Sequence, residues 1–244
     1  DVKFWPVQFT LEAYDLVLND PVVPRSLMNS VLYTAVGTVI NLVMTALCAY
    51  PLARPRFSGR TLFTWMVTLT MFFSGGMIPL WLLVLQLGMM DSIWAIVLPV
   101  AINPWNMFIM RTFFLSIHES IYEAALIDGA SEIGILWRIV LPLSMPIFAT
   151  LLLFYAVAHW NDFFNALLYL NNRVKFPIQL HLRNIVIAGS SQQTGELAGG
   201  SDFSVIEQTL RYATIMVSTV PILVVYPFVQ KYFVKGVMIG AIKE

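Results

Sequence analysis

Amide, carboxylate and aromatic side chains are grouped inside one long apolar run of this sequence, and two further amides flank a Pro-Trp pair in another. Amides and carboxylates hydrogen-bond to hydroxyl groups, and aromatic rings cover apolar faces of a ligand. The group therefore suits a pathway for a polar, hydroxyl-rich solute. The candidate pathway residues are Tyr155, Trp160, Asn161, Asp162, Asn165, Asn103 and Asn106.

Hydrogen bonding between helices is the alternative role for these polar side chains. Asp162 is the only acid well inside an apolar run, and we favour a pathway or gate role for it and for Asn161. For Asn103 and Asn106 both roles stay open. We interpret His159 as structural. A polar face in the first apolar run is interpreted as helix packing: Thr34, Thr38, Asn41 and Thr45.

The sequence carries no complete catalytic or metal-binding motif. His118-Glu119 begins the HExxH zinc pattern, but Tyr122 stands where the second histidine is needed. Neither a Cys/His cluster nor a GxSxG elbow is present, and no GxxxxGKS/T phosphate loop occurs. We therefore expect no metal site, no bound cofactor and no enzymatic activity in this chain.

The composition indicates a membrane protein. Of the 244 residues, 58% are hydrophobic and only 11% are charged, whereas soluble domains carry about 25% charged residues. A net charge of zero argues against a nucleic-acid partner. The single cysteine, Cys48, excludes a disulfide within the chain.

Five long apolar runs predict an all-α membrane protein, since a bilayer-spanning helix needs about 20 apolar residues. Glycine and proline interrupt the second run at Gly75, Gly76 and Pro79, and proline interrupts the third at Pro99 and Pro104. Proline removes a backbone donor, so the carbonyls freed there need other partners. The predicted transmembrane helices are 27–53, 62–87, 92–115, 143–170 and 212–234.

Basic residues predict the orientation of these helices. Arg54, Arg56 and Arg60 follow the first run, whereas the next connection carries no basic residue. The positive-inside rule places the first connection in the cytoplasm. Alternation then makes 116–142 and the C-terminal tail cytoplasmic, and it makes 171–211 an external loop.

The predicted cytoplasmic loop, SIHESIYEAALIDGASEIGILWRIVLP, contains signals for two short helices. Ser120 and Glu123 have capping-box spacing, which predicts a helix from Ile121. Gly129 is suited to the left-handed conformation that ends a helix. A second helix is predicted from Ser131. Its predicted apolar face contains Ile133, Leu136, Trp137 and Val140.

The same loop carries a resemblance to a known family. Its EAA, DGA, Ile139 and Leu141-Pro142 elements resemble, in order and spacing, the EAA loop of membrane subunits of ATP-binding-cassette importers. HWNDFF and the ending KGVMIGAIKE are similar to segments of type I carbohydrate importer permeases of the maltose-permease kind. The resemblance covers nearly the whole chain, and it is greatest to permeases for oligosaccharides such as those of alginate. It implies that a sixth, N-terminal span is missing before Asp1.

The resemblance also implies functional surfaces. The helix Ile121–Asp128 is expected to be the coupling helix that docks on a separate ATPase subunit. Its expected coupling residues are Glu123, Ala124, Ala125, Asp128 and Gly129. The external loop is expected to contact a binding protein, with a disordered loop as the equal alternative. The expected contact residues are Gln192, Gly195, Gly199 and Gly200.

The partners implied by the resemblance are a second homologous permease, two ATPase subunits that hold ATP and Mg, an extracytoplasmic carbohydrate-binding protein and membrane lipid. The expected location is the bacterial plasma membrane. An ion-coupled secondary transporter is the alternative function. It predicts several intramembrane carboxylates and an inverted repeat, neither of which the sequence displays.

Overall fold

The computed structural model of the protein describes residues 11–192, 209, 212–224 and 227, and within them the chain is helical and contains no β-strand. The predicted all-α class is therefore confirmed for this part of the chain. The helices are α1 (Glu12–Asn19), α2 (Val22–Ala53), α3 (Arg60–Phe72), α4 (Met77–Gln86), α5 (Ile93–Val97), α6 (Pro104–Leu115), α7 (Glu119–Ile127), α8 (Glu132–Ile135), α9 (Leu141–Leu143), α10 (Met145–Trp160), α11 (Phe164–Tyr169), α12 (Ile178–Gln192) and α13 (Tyr212–Val224).

Helix α2 is the central element, and α6 and α10 pack along it. It continues for 32 residues. Small side chains on its buried side allow the neighbouring helices to approach closely. These small buried residues include Ser26, Ser30, Gly37, Ala46 and Ala49.

Two sharp bends coincide with the predicted glycine and proline interruptions. Helices α3 and α4 meet at 116°, and Gly76 between them has a φ of +89°, which favours glycine. The segment Ile93–Val100, which extends α5 by a 3₁₀ turn, meets α6 at 54°. Helix α6 begins at Pro104, whose missing N–H costs nothing at a helix start.

A third bend lies at the boundary between the predicted loop 116–142 and the predicted transmembrane helix 143–170. The segment Glu132–Leu143 meets α10 at 82°. Pro146 lies in the first turn of α10 and has no N–H to bond the carbonyl of Pro142, four residues earlier. The backbone therefore turns at Ser144 instead of continuing as one helix.

Among the described residues, α2 is the only single helix long and apolar enough to cross a membrane, and up to four spans result if each bent pair counts as one. The run 143–170 holds α10 and α11, separated at residues 161–163. Helix α13 covers the first part of the run 212–234, and most of the remainder lies outside the described residues. The loop 116–142 holds α7, α8 and α9, joined by a π turn at Leu136–Val140.

Candidate coupling surface and polar core

Helix α7 begins two residues earlier than predicted. It starts at Glu119, and its N-cap is His118, whose Nδ1 accepts a hydrogen bond from the backbone N–H of Ser120 at 3.4 Å. The predicted start at Ile121 with Ser120 as cap is therefore wrong, because the histidine ring takes the capping role. The predicted end is confirmed, since Gly129 has a φ of +78°.

Helix α8 begins as predicted, since the Oγ atom of Ser131 accepts a hydrogen bond from the N–H of Gly134 at 3.2 Å. Its predicted apolar face is confirmed for Leu136 and Val140, which pack in the core. It is wrong for Ile133 and Trp137, which are 72% and 57% exposed. Ile135, which was not predicted, completes the buried side.

The two sides of α7 have different surroundings. Tyr122 and Ala125 are buried in the core beside the end of α2. The expected coupling residues Glu123, Ala124, Asp128 and Gly129 are all exposed. Ile127 lies with them and is 85% exposed. Ala125 therefore faces the bundle, while the other expected coupling residues form an open surface with a bare apolar side chain.

One buried arginine attaches α7 and α8 to the end of α2. The guanidinium carbon of Arg54 lies 3.7 Å from the centroid of the Tyr122 ring. Its Nε lies 3.8 Å from Oε2 of Glu132, and the hydroxyl of Tyr50 donates to the same oxygen at 2.7 Å. Burial raises the pKa of Tyr122, so its ring stays a neutral partner for the cation. We call Tyr50, Arg54, Tyr122 and Glu132 the Arg54 cluster.

A second contact between the same regions is much weaker. Nη2 of Arg56 lies 4.0 Å from Oε1 of Glu123, and their side chains are 63% and 56% exposed. Exposed ion pairs of this kind contribute about 0 to 1 kcal/mol. Glu123 therefore remains available to a partner.

Asn41 of α2 satisfies the carbonyls that Pro104 leaves free. An unbroken helix would bond the carbonyl of Val100 to the N–H of residue 104, which proline lacks. The Nδ2 atom of Asn41 donates to Val100 O at 2.6 Å and to Ala101 O at 3.0 Å. The interpretation of Asn41 as a helix-packing residue is confirmed, and so is the need for partners at the break.

His159 of α10 completes this buried polar group. Because Nδ2 of Asn41 donates to two carbonyls, its Oδ1 is the acceptor, and Nε2 of His159 donates to it at 2.6 Å. His159 is 8% exposed. Its ring fills the space beside Gly37, where a β-carbon would lie only 2.5 Å from Nε2. The structural interpretation of His159 is confirmed.

Three of the candidate pathway residues are buried, and two of them bond to another helix. Tyr155 shares a 2.7 Å hydrogen bond with Thr45 of α2. The indole N–H of Trp160 donates to the carbonyl of Ser218 at 3.2 Å. Asn106 is 8% exposed and lies in the first turn of α6.

The remaining candidates are accessible. Asp162 and Asn165 are half-buried and bonded to each other, since the carboxylate accepts from the N–H and from Nδ2 of Asn165 at 3.0 and 2.8 Å. The exposed Asn161 donates to the carbonyl of Val157 instead. Asn103 is exposed and caps α6. Asp162 and Asn165 therefore form a bonded pair, and Asn161 bonds within its own helix.

An ion pair fixes the loops at the opposite end of the fold from α7. Nζ of Lys175 lies 2.8 Å from Oδ2 of Asp91, and Oδ1 accepts from the N–H groups of Asn171 and Asn172, each at 3.1 Å. The bonds from Lys175 and from Asn172 lower the pKa of Asp91. Asp91 holds a φ of +56°, which such bonds must stabilise.

A cavity of about 680 Å³ opens near this ion pair, between the start of α2, the 3₁₀ turn Arg173–Lys175 and the start of α12. Arg25, Arg173, His181 and Phe176 line it, and no acidic residue does. Burial lowers the pKa of His181, and Asp20 opposes this effect. The two arginines therefore supply the permanent charge of the cavity.

The predicted binding-protein contacts fall at or beyond the end of α12. Gln192 is its last residue. Gly195, Gly199 and Gly200 lie outside the described residues. These four assignments stay predictions.

A family model decides the class of protein. Residues 41–239 match the family described as binding-protein-dependent transport system inner membrane component. The chain belongs to this family. Its members are inner-membrane components of transport systems, so the resemblance on which the sequence interpretation depends is confirmed.

Relatives of this family with similar sequences carry more specific names. The chain is 46% identical over 238 residues to the polygalacturonan/rhamnogalacturonan transport system permease protein YtcP of Bacillus subtilis, covering 98% of this chain and 83% of that protein. It is 47% identical over 241 residues to protein LplC of the same organism, covering 98% and 81%.

A solved structure has the same fold. The chain superposes with a TM-score of 0.83 and 36% identity on a chain from the crystal structure of a bacterial ABC transporter involved in the import of the acidic polysaccharide alginate. The match covers 93% of this chain and 81% of that chain. The importer-permease fold of the described helices is therefore confirmed.

The sequence did not predict two groups of contacts in this permease: the Arg54 cluster and the ion pair between Asp91 and Lys175. In the sequence, Arg54 indicated only the orientation of the helices. Tyr50 and Glu132 are 82 residues apart in sequence, and Asp91 and Lys175 are 84 apart. No local pattern links such pairs. A tyrosine and an arginine at the end of the first predicted span were a weak signal for the Arg54 cluster.

Proposed function

We propose that this chain is a permease subunit of an ATP-driven importer, and that it moves an oligosaccharide across the bacterial plasma membrane. The observation that carries the proposal is the open face of α7. It presents Glu123, Ala124 and Asp128 around Ile127, which is 85% exposed. An isolated apolar side chain on a short, firmly attached helix is well suited to fill a pocket on a partner.

The proposed partner at α7 is an ATPase subunit. The sequence has no phosphate loop of its own, so ATP and Mg are assigned to two separate ATPase subunits. A second permease completes the pathway, and an extracytoplasmic carbohydrate-binding protein delivers the substrate. The α7 end and the C-terminus face the cytoplasm in this proposal, in agreement with Arg54, Arg56 and Arg60 at that end.

The proposed pathway wall is the accessible polar group at the break after α10. Asn161, Asp162 and Asn165 lie there, and Asn103 adds an exposed amide at the start of α6. Tyr155 and Trp160 contribute by holding the helices, because their polar atoms are already bonded to neighbouring helices. Asn106 is buried and does not face this wall.

Ile127→Asp is expected to release the ATPase from the permease. The substitution puts a charge where the proposal requires an apolar contact, so we expect at least a tenfold loss, about 1.4 kcal/mol or more, in ATPase affinity. The measurement is co-purification of the ATPase with the permease complex, followed by sugar uptake in vesicles. Leu18→Asp is the control, since Leu18 of α1 is 54% exposed and lines neither the α7 surface nor the cavity beside Arg173. Full ATPase retention and uptake in the Ile127 variant would exclude docking through this face.

We further propose that the transported oligosaccharide contains acidic sugars. Two similar proteins are named for polygalacturonan/rhamnogalacturonan transport and for import of the acidic polysaccharide alginate. The cavity lined by Arg25 and Arg173 supports the same chemistry, because guanidinium groups bind carboxylates with paired hydrogen bonds. The aromatic ring of Phe176 in the same cavity offers an apolar surface for a sugar face.

Removing both cavity arginines is expected to impair uptake of acidic sugars selectively. For Arg25→Gln/Arg173→Gln we expect KM for a galacturonate tetrasaccharide to rise about tenfold, the effect of losing one to two charge-assisted hydrogen bonds. Uptake of its methyl ester, which has no carboxylates, should stay unchanged. Arg183→Gln on α12 serves as the control arginine. An equal loss for acid and ester would contradict carboxylate recognition in this cavity.

A further inference from the structure

A second basic cavity lies at the α7 end of the fold and has no part in the proposed transport function. Its volume is about 520 Å³, and it lies between the connection after α2, the first turns of α3 and the later part of α6. Two arginines and several hydroxyl groups dominate its lining. The lining includes Arg60, Arg111, Ser58, Thr61, Thr64 and Trp65.

The positive charge of this cavity is not neutralised by the residues around it. Arg60 and Arg111 are close enough to repel each other, and no residue lining the cavity is acidic. Between positions 54 and 111 the only acid is Asp91, which is bonded to Lys175 at the other end of the fold. Neither arginine forms an ion pair with a described residue.

Arg111 is held in place by the backbone. Its Nε donates to the carbonyl of Leu52 at 2.9 Å, which anchors the guanidinium and leaves its two amino groups for another acceptor. Two cations that share a cavity repel each other, and an anion between them offsets that repulsion. The cavity therefore has the charge arrangement of an anion site.

Hydroxyl groups add hydrogen-bond donors to the lining. Ser58 and Thr61 lie there, and both are exposed to the cavity. A phosphate has enough oxygen atoms to accept from both arginines and from a hydroxyl group.

The surface beside the cavity is apolar and exposed. Helix α3 has no buried residue, and Leu62, Trp65 and Leu69 are 64%, 66% and 55% exposed. Tryptophan is enriched where a membrane meets water, and leucine suits the hydrocarbon below it. A basic cavity continuous with an apolar helix face fits a ligand that has an anionic head and hydrocarbon tails.

We infer that this cavity binds the headgroup of an anionic phospholipid. The phosphate lies between Arg60 and Arg111 and accepts hydrogen bonds from the hydroxyl groups of Ser58 and Thr61. The acyl chains run along the exposed side of α3. Basic pockets between transmembrane helices recognise anionic headgroups in this way. The site goes beyond the proposed transport function and does not depend on which sugar is carried.

The test is lipid binding to the assembled transporter. The purified complex is placed in nanodiscs that contain phosphatidylcholine with a small fraction of labelled phosphatidylglycerol, and retained label is measured after exchange. We expect Arg60→Gln/Arg111→Gln to weaken retention of phosphatidylglycerol about tenfold, as loss of charge-assisted bonds predicts. Retention of labelled phosphatidylcholine should not change. Arg138→Gln is the control, because Arg138 is an exposed arginine at the same end.

Three outcomes would overturn the inference. Retention of phosphatidylglycerol by the double variant at the wild-type level would exclude this cavity. Displacement of the label by millimolar inorganic phosphate would assign the cavity to a soluble anion. Loss of the ATPase with unchanged lipid retention would assign it to a protein contact. Thr61→Val, which removes one hydroxyl group from the lining, is the second variant if the double variant fails to assemble, and a smaller loss of lipid retention is expected for it.

Discussion

Arg54→Leu is expected to loosen α7 and to uncouple ATP hydrolysis from transport. A desolvated cation–π contact such as that between Arg54 and Tyr122 contributes about 2 kcal/mol. The Arg54 side chain is 8% exposed but that of Glu132 is 53% exposed, so the ion pair adds at most about 1 kcal/mol. The substitution should therefore weaken the attachment of α7 by about 2 to 3 kcal/mol. Glu132 is exposed enough to rehydrate, so its lost partner adds no larger penalty.

The measurements are the ratio of ATP hydrolysed to sugar transported and the amide hydrogen exchange of Glu119–Ile127. The ratio and the exchange rate should both rise in Arg54→Leu. They should rise less in Arg54→Lys, which keeps the positive charge. Arg56→Leu is a matched control, since its ion pair with Glu123 is long and exposed. If Arg54→Leu and Arg56→Leu gave the same ratio and the same exchange, the Arg54 cluster would have no role in coupling.

Local rules predicted the features of this fold that depend on neighbouring residues. Gly129 ends α7 and Ser131 caps α8 because backbone conformation and capping act within a few residues. Pro104 marks a bend because the missing donor is its own. The start of α7 was misplaced because His118 and Ser120, two residues apart, can each cap a helix, and spacing does not decide between them.

Long-range contacts account for what the sequence did not reveal. The bond between Asn41 and His159 joins residues 118 apart, and the bond from Asn41 to Ala101 joins residues 60 apart. A polar face on α2 was visible in the sequence, but its partners were not. The same limit applies to the candidate pathway, where Tyr155 proved to be bonded to Thr45 inside the bundle.

Helix α2 connects two groups of buried side chains. The Arg54 cluster attaches α7 and α8 to one end of this helix, and Asn41 attaches the broken third run and α10 to its middle. If an ATPase docks on α7, as proposed, a displacement of α7 would be transmitted to α2, which directly holds two other helices. We expect the stability of the contact between α2 and α10 to decide whether that displacement reaches the polar residues after α10.

Gly37→Ala is expected to destabilise this permease, although the same change in an ordinary helix interior stabilises by about 1 kcal/mol. The new β-carbon would lie 2.5 Å from Nε2 of His159, and overpacking of this kind costs about 1 to 3 kcal/mol. Displacing the ring also breaks its bond to Asn41 and leaves a buried group unpaired, at a further cost of about 1 to 3 kcal/mol. The net expectation is a loss of about 1 to 5 kcal/mol, visible as a lower Tm of the purified complex.

Gly75→Ala is the control for this prediction, because a β-carbon at Gly75 would meet no atom within 4 Å. Its Tm should stay close to that of the wild type. The double variant Gly37→Ala/His159→Ala should be less destabilised than the sum of its single variants, since the clash needs both residues. A Tm of Gly37→Ala at or above the wild-type value would show that the His159 ring is not fixed between α2 and α10, and the proposed transmission from α7 through α2 would lose its connection to α10.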